Sequence, residues 1–282
     1  MQSPSPQNVP TVSVCIPTYR GAAHLGSAIE SVLNQDFTDF ELIVIDDNSP
    51  DNTYEVVSNY QDQRLRYVKN TANLGPEGNW NKCLTEAKGK YFKLLPQDDI
   101  LAKDCLSRQI DILEKDTNEL IALVFCARYI IDGRGKIMTK RGYRQRQEGI
   151  IPGAELIKDS IRWGTNLIGE PGAVTFRHAL AGKIGHFDGS ISYILDLDYW
   201  FRLLINGDAY YIASPLSSFR VASGSWSIDI GDRQSEDYNR FIDKCFQNSA
   251  YRIGKLDCTL GYITAKINNY LRLLFYNFLA LR

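Results

Sequence analysis

Apolar and polar positions alternate in blocks along the first hundred residues, and the period of each block predicts its element. "TVSVCIP" (11–17) reads as a strand that stops at a proline. Leu25, Ile29, Val32 and Leu33 then recur at the spacing of one helix face. "FELIVID" (40–46) is an apolar run of the kind found in the middle of a parallel sheet covered on both faces. "DNSPDNT" follows as a turn with several potential helix caps. "LRYVKN" predicts a third strand, and Trp80, Leu84 and Ala87 the helix after it. "YFKLL" predicts a fourth strand, and Leu106, Ile110 and Leu113 a further helix. Such alternation implies right-handed crossovers and a doubly wound α/β sheet with helices on both faces.

Beyond Leu120 the pattern changes. "IALVFCARYIIDGRGKIMTKRGY" predicts a hairpin turning near Asp132-Gly133. "PGAVTFRHALAGKIGHFD" predicts a strand, a short helix and a turn, and "DLDYWFRLLING" a helix. "AYYIASPLSSFRV" predicts two short strands, and from about Arg233 the pattern is helical to the end. The expected division is a flexible leader over 1–10, one α/β domain over 11–228 and a C-terminal helical segment over 229–282.

In an open α/β sheet, ligands bind in the crevice beyond the carboxyl ends of the strands. Polar groups fall at three such ends: Tyr19 and Arg20, Asp46 and Asp47, and Asp98 and Asp99. Adjacent carboxylates repel each other. A solvated turn tolerates them, and so does a site where a divalent cation sits between them and an anionic ligand. Three strand ends aimed into one crevice favour the site.

The rest of the composition excludes more than it assigns. Of 282 residues 44% are hydrophobic, ample for a packed core, and a net charge of −1 gives no global attraction to nucleic acid. Cys15, Cys83, Cys105, Cys126, Cys245 and Cys258 are irregularly spaced with no C-x-x-C pair. They read as buried free thiols in a reducing compartment, not a disulfide frame or a zinc site. "MQSPSPQNVP" has no basic n-region or apolar h-region, and no apolar stretch reaches the ~18 residues of a membrane span. A cytoplasmic protein is expected. The basic run "RGKIMTKRGYRQR" reads first as a solvated hairpin and second as a site for an anionic acceptor such as a lipid-linked phosphate. "YLRLLFYNFLALR" reads as a helix that packs on the domain, with partial peripheral contact at the inner face of a membrane.

These residues together resemble the family 2 glycosyltransferases of GT-A fold. The likeness runs from about Val12 to Val221. It is carried by "VSVCIPTYRGAAHLGSAIESVLNQDFTDFELIVIDDNSPDNT", "NTANLGPEGNWNKCLTEAKGKYFKLLPQDD", "IGHFDGS", "LDLDYWFRL" and "FRV", in that order. The resemblance implies a GT-A type mixed sheet. It also implies inverting, metal-dependent transfer of a sugar from a UDP- or dTDP-sugar to an acceptor hydroxyl, in surface polysaccharide or glycolipid synthesis. By match of position, Pro17, Tyr19, Asp47 and Asp98 would hold the donor, Tyr19 stacking on the base, Asp47 bonding its edge and Asp98 facing the ribose. Asp99 would ligate Mg²⁺ or Mn²⁺, Asp196 would be the general base with Asp198 structural, and Glu170 and Trp200 would lie on the acceptor side.

The implied partners are a nucleotide sugar and a glycan or lipid-linked acceptor. Pro96, Trp80 and Ala222 stand where many members have an acidic residue, an arginine and a histidine. Two other readings compete: a nucleotidyltransferase, against which "TYRGAAHLG" lacks the glycines of a triphosphate loop, and a non-catalytic nucleotide-sugar- or glycan-binding member of the fold.

Overall fold

The computed structural model describes residues 9–143, 147–221 and 233–280. Most of the leader, the end of the basic run, Ala222 and the boundary at 228 lie outside the described residues.

Strands β1 (Val12–Thr18), β2 (Phe40–Asp46), β3 (Leu65–Lys69) and β4 (Tyr91–Leu94) form a parallel half-sheet in the order β3-β2-β1-β4. Helices α1 (Leu25–Leu33), α2 (Thr53–Ser58) and α3 (Gly75–Glu86) make the crossovers between them. After a two-residue strand β5 (Ile100–Leu101) and α4 (Cys105–Lys115), the long β6 (Ile121–Ile131) turns back as β7 (Ile137–Arg141). The turn falls at Asp132, whose carbonyl accepts from Gly135 N at 2.9 Å. Strand β8 (Gly149–Ile151) and α5 (Gly153–Trp163) follow, then β9 (Val174–Arg177), α6 (Ala179–Ile184) and α7 (Leu195–Leu204). Strand β9 inserts antiparallel between β4 and β6, and β10 (Asp208–Arg220) lies parallel to β6, so the sheet is mixed. The chain ends in α8 (Gln234–Gln247) and α9 (Lys255–Ala280).

Two-residue periodicity divides the core between the two faces of the sheet. Val12, Val14 and Ile16 of β1, with Leu42 and Val44 of β2, pack under α1, α2 and α4. Cys15, Ile43 and Ile45 point the other way, into a cluster with α3, α5 and α7. Phe241, Ile242 and Cys245 of α8 and Ala265 of α9 belong to that same cluster, so the C-terminal helices share the domain's core. Gly164, at φ 57, closes α5, and a Cβ there would lie 2.3 Å from Ala265 N, so the glycine lets α9 pack tightly. All six cysteines are free and buried. Among the described residues, no helix is long and apolar enough to cross a membrane.

One element departs from the sequence pattern. Instead of two short strands, 208–220 forms a single strand of 13 residues. Proline lacks the N–H a central ladder needs, and Pro215 sits where the register with β6 slips on either side of it. The irregularity absorbs the proline without ending the strand.

Candidate active site

The ends of β1, β2 and β4 are tied together by side chains that reach between loops. Gln97 Oε1 accepts from Tyr19 N at 2.9 Å and Thr18 Oγ1 at 2.6 Å, while its Nε2 donates to Tyr19 O at 3.2 Å. Arg20 N donates to Ser49 Oγ at 3.0 Å and Gly21 N to Thr53 Oγ1 at 3.1 Å, joining the first loop to the second. Arg20 and Asn48, one in each loop, hold left-handed backbone at φ 52 and 59. For non-glycine residues that conformation costs energy and persists where surrounding contacts enforce it.

Within this frame Pro17 is buried in β1 and Tyr19 stands out of it, 40% exposed, with the Arg20 guanidinium 5.3 Å from its ring centre. Asp47 is 2% exposed, and the protein itself uses much of its carboxylate. Oδ1 accepts from Asn70 Nδ2 and Leu74 N, both at 2.8 Å, and Oδ2 from Gly75 N at 2.9 Å.

Asp98 and Asp99 follow β4 and are both held by Arg220, the last residue of β10. Arg220 N donates to Asp99 Oδ1 at 3.0 Å and its Nε to Asp98 O at 2.8 Å. Its Nη1 donates to the carbonyls of Asp132 and Gly133 at 3.1 Å, locking the pair to the β6–β7 turn. Burial raises Asp98, and burial together with the Asp98 charge raises Asp99 well above the usual carboxylate range. Among the described residues no cluster of three or more histidine, cysteine or carboxylate groups is arranged to hold an ion unaided. One or two carboxylates suit Mg²⁺ or Mn²⁺ when phosphate oxygens and water complete the shell. Two buried, mutually repelling acids in one place fit that donor set.

A cavity of about 250 Å³ opens beside Asp98 and is lined also by Asp196, Glu170, Arg128, Asn166 and Arg220. Asp196 is the second residue of α7. Its Oδ1 accepts from Leu197 N at 2.7 Å and its Oδ2 from Asn166 Nδ2 at 3.0 Å. Burial, and after it the charge of Glu170, push its carboxyl up to about 7. Glu170 is paired with Arg128, and although burial alone would raise it, that guanidinium holds it below its ordinary value.

Asp198 faces away from the cavity: its two oxygens accept from Arg202 Nε at 2.8 Å and Lys244 Nζ at 2.7 Å. Trp200 does not reach the cavity, which corrects its assignment to the acceptor side. It is 1% exposed, its ring lies among Phe176, Phe187 and Tyr199, and its indole N–H donates to Gly169 O at 3.2 Å. It positions the Gly169–Glu170 turn from behind.

Gln97, Arg128, Asn166 and Arg220 had no assigned role in the sequence. Only Arg220 had a signal, as the arginine of "FRV".

A sequence model of the family described as "Glycosyl transferase family 2" matches residues 13–181. The chain belongs to glycosyltransferase family 2. Curated relatives from Mycobacterium tuberculosis and Rickettsia typhi align at 30% identity over 74% and 75% of this chain, which spans 66% and 64% of their own length. A shorter match, 42% identical over 120 residues (42% of this chain, 38% of the relative), is to the Campylobacter jejuni GalNAc(5)-diNAcBac-PP-undecaprenol beta-1,3-glucosyltransferase. Two solved structures share the GT-A fold. Staphylococcus aureus TarS 1–349 in complex with UDP-GlcNAc superposes with a TM-score of 0.70 at 17% identity, covering 93% of this chain and 73% of that one. The mannosyltransferase PcManGT from Pyrobaculum calidifontis, in complex with GDP-Man and Mn²⁺, gives 0.61 at 17% identity, covering 99% and 83%.

Proposed function

We propose that this glycosyltransferase moves a sugar from a UDP- or dTDP-sugar to an acceptor hydroxyl, with inversion at the anomeric carbon, in surface polysaccharide or glycolipid synthesis. The observation that carries the reading is Asp196: a carboxyl raised to about 7, lining the same cavity as Asp98, while Asp198 is committed to an ion-paired network. A general base works best when its pKa lies near the operating pH.

The donor's base stacks on the exposed ring of Tyr19 beside Pro17, and its imide N–H donates to Asp47, whose Oδ2 has one donor among the described residues, Gly75 N. Asp98 faces the ribose. Asp99, with Asp98 beside it, holds Mg²⁺ or Mn²⁺ together with the diphosphate; when bound, the ion supplies positive charge to the leaving group. The acceptor hydroxyl, placed by Glu170, gives its proton to the Asp196 carboxylate as its oxygen bonds to the anomeric carbon. The bond from that carbon to the diphosphate breaks, and its electron pair leaves with the diphosphate. Among the structural neighbours, TarS in complex with UDP-GlcNAc supports the donor class, and PcManGT in complex with GDP-Man and Mn²⁺ supports the metal class. The Campylobacter jejuni relative's name supports an acceptor on a lipid diphosphate.

The test is a thermal-shift panel of UDP-, dTDP- and GDP-sugars with and without Mn²⁺, since a ligand of the native state raises its apparent stability. A metal-dependent rise with a UDP- or dTDP-sugar is expected. No rise with any nucleotide sugar overturns the reading.

A further inference from the structure

Helix α5 ends at Trp163, just before the residue that orients the candidate base. The last carbonyls of a helix have no partner within it, yet each carbonyl from Ser160 to Thr165 lies within hydrogen-bond distance of a donor. Ile161 O accepts from Gly164 N at 3.0 Å, in the turn made by the left-handed Gly164. The others face side chains of the C-terminal helices. On α8, the Tyr238 hydroxyl donates to Ser160 O at 2.7 Å and lies 3.3 Å from Thr165 O. On α9, Asn268 Nδ2 donates to Trp163 O at 2.6 Å and to Gly164 O at 3.3 Å. Thr264 Oγ1 shares its proton between Arg162 O at 2.8 Å and Leu260 O of its own helix at 2.9 Å. Gly261 permits this approach, since a Cβ there would stand 2.6 Å from Ile161 O.

The next residue in the chain is Asn166. Its Oδ1 accepts from Ile168 N and Gly169 N, which fixes the amide so that Nδ2 donates to Asp196 Oδ2 at 3.0 Å. A hydrogen bond weakens steeply as its angle closes, so Asn166 serves Asp196 only while its own backbone stays in place. Residues 164–170 belong to neither helix nor strand. No ladder fixes them, and the grip on the end of α5 does that work instead. Packing against Phe241 explains the Tyr238 ring but not the aim of its hydroxyl.

We propose that Tyr238 and Asn268 are positioning residues for the candidate base: by holding the carbonyls of 160–165 they set Asn166, and through it the Asp196 carboxylate. The inference deepens the glycosyltransferase reading and rests on Asp196 being its base. Both residues lie beyond the stretch 13–181 matched by the family model. The C-terminal helices therefore complete the site rather than decorate the domain.

The ionisation of Asp196 reads this positioning and needs no substrate. Urea unfolding across pH compares each full-chain protein with the same protein carrying Asp196→Asn. The stability difference levels off where Asp196 has ionised in the folded state, at about 7 in the wild type. Asn166 donates to the charged form, so Asn166→Ala should move that point up by roughly 0.5 pH unit. Tyr238→Phe, which keeps the ring, and Asn268→Ala should each move it in the same direction. Neither should move it further once Asn166 is alanine, because residues that act through one another are not additive. The other charged groups lining the same cavity, Asp98, Arg128, Arg141, Glu170, Arg220 and Arg272, are untouched by these substitutions. A loss of stability equal at every pH, with the point unmoved, overturns the proposal. So does a shift that adds to that of Asn166→Ala, which would put the effect on another path. Release of nucleoside diphosphate from whichever UDP- or dTDP-sugar gives the largest thermal shift with Mn²⁺, water replacing the acceptor, tests the base separately. Undiminished release by Asp196→Asn with the shifts as expected rejects the base reading alone. Diminished release by Asp196→Asn without the shifts rejects the positioning alone.

Discussion

Replacing Asp196 with asparagine should make the protein more stable at pH 8 while removing its turnover. Burial and Glu170 lift the Asp196 carboxyl from an ordinary 3.8 to about 7. An acid raised in the folded state holds its proton longer there than in the unfolded chain. Stability is therefore greatest below about pH 4, where both states are protonated, and falls as pH rises to about 7, where it levels off. At ~1.36 kcal/mol for each pH unit separating the two states, the charged form at pH 8 costs about 4 kcal/mol. Asparagine carries no charge and escapes that cost.

The same variant loses one hydrogen bond. Leu197 N can still donate to the amide oxygen, but Asn166 Nδ2, 3.0 Å from Oδ2, would meet an amide nitrogen. Asn166 cannot flip to help, because its Oδ1 already accepts from Ile168 N at 3.0 Å and Gly169 N at 2.8 Å. That loss is about 1 kcal/mol. The net expectation is a gain of about 3 kcal/mol at pH 8, shrinking to zero near about pH 4.5 and reversing below it. Urea unfolding of both proteins across this pH range measures the difference directly, the other titrations cancelling. Turnover should fall by at least ~10²-fold. An asparagine variant less stable than wild type at pH 8, or a gap that does not vary with pH, refutes the reasoning.

Other expectations follow from the same contacts. Because the base must be ionised, kcat/KM should rise with pH to half-maximum near 7, and Asn166→Ala, which removes a donor to the carboxylate, should move that limb up by roughly 0.5–1 pH unit. A limb that stays in place would show that Asn166 does not support the charged form. Asp47→Ala removes an acceptor from three donors, of which Asn70 Nδ2 and Gly75 N keep Asn79 Oδ1 and Asn73 Oδ1, and should cost about 1–2 kcal/mol in urea unfolding as well as UDP affinity by calorimetry; a variant that loses neither leaves Asp47 without a role. Asp99→Asn should fold yet lose the Mn²⁺-dependent part of its UDP-sugar thermal shift, and retention of that part would put the ion elsewhere.

The elements that carry the first half of the site were legible because their periodicity is simple. "FELIVID" forms β2 with the same bounds, and the acidic pairs stand at strand ends as the alternation implies. What the sequence could not carry was depth and partnership. Trp200 lies four residues after Asp196 and so near it on the helix, yet its ring turns into the aromatic core. Lys93 reads as the polar interruption of an apolar strand. It is wholly buried, its ammonium answered by Gln109 Oε1 at 2.9 Å and Val174 O at 3.3 Å from distant segments. Arg220, Asn166 and Gln97 act across 30 to 122 residues of sequence, and no local pattern encodes such contacts.

The distribution of charge makes a last demand on the donor. Asp98, Asp196 and Glu170 line the inner cavity with Asp99 buried behind, and Arg128, Arg141, Arg220 and Arg272 share its wall. Arg128 is paired with Glu170, and Arg220 is tied by Nε and Nη1 to backbone carbonyls. A diphosphate brought against Asp98 and Asp99 meets like charge, at ~1 to 4 kcal/mol per pair of charges 4 Å apart between water and a protein surface. A divalent cation between them removes that repulsion. Chelation should therefore abolish donor binding: in excess EDTA the thermal shift caused by a UDP-sugar should vanish. If the shift persists, the carboxylates are not gathering a cation for the donor, and the pairing of Asp98 with Asp99 has another cause.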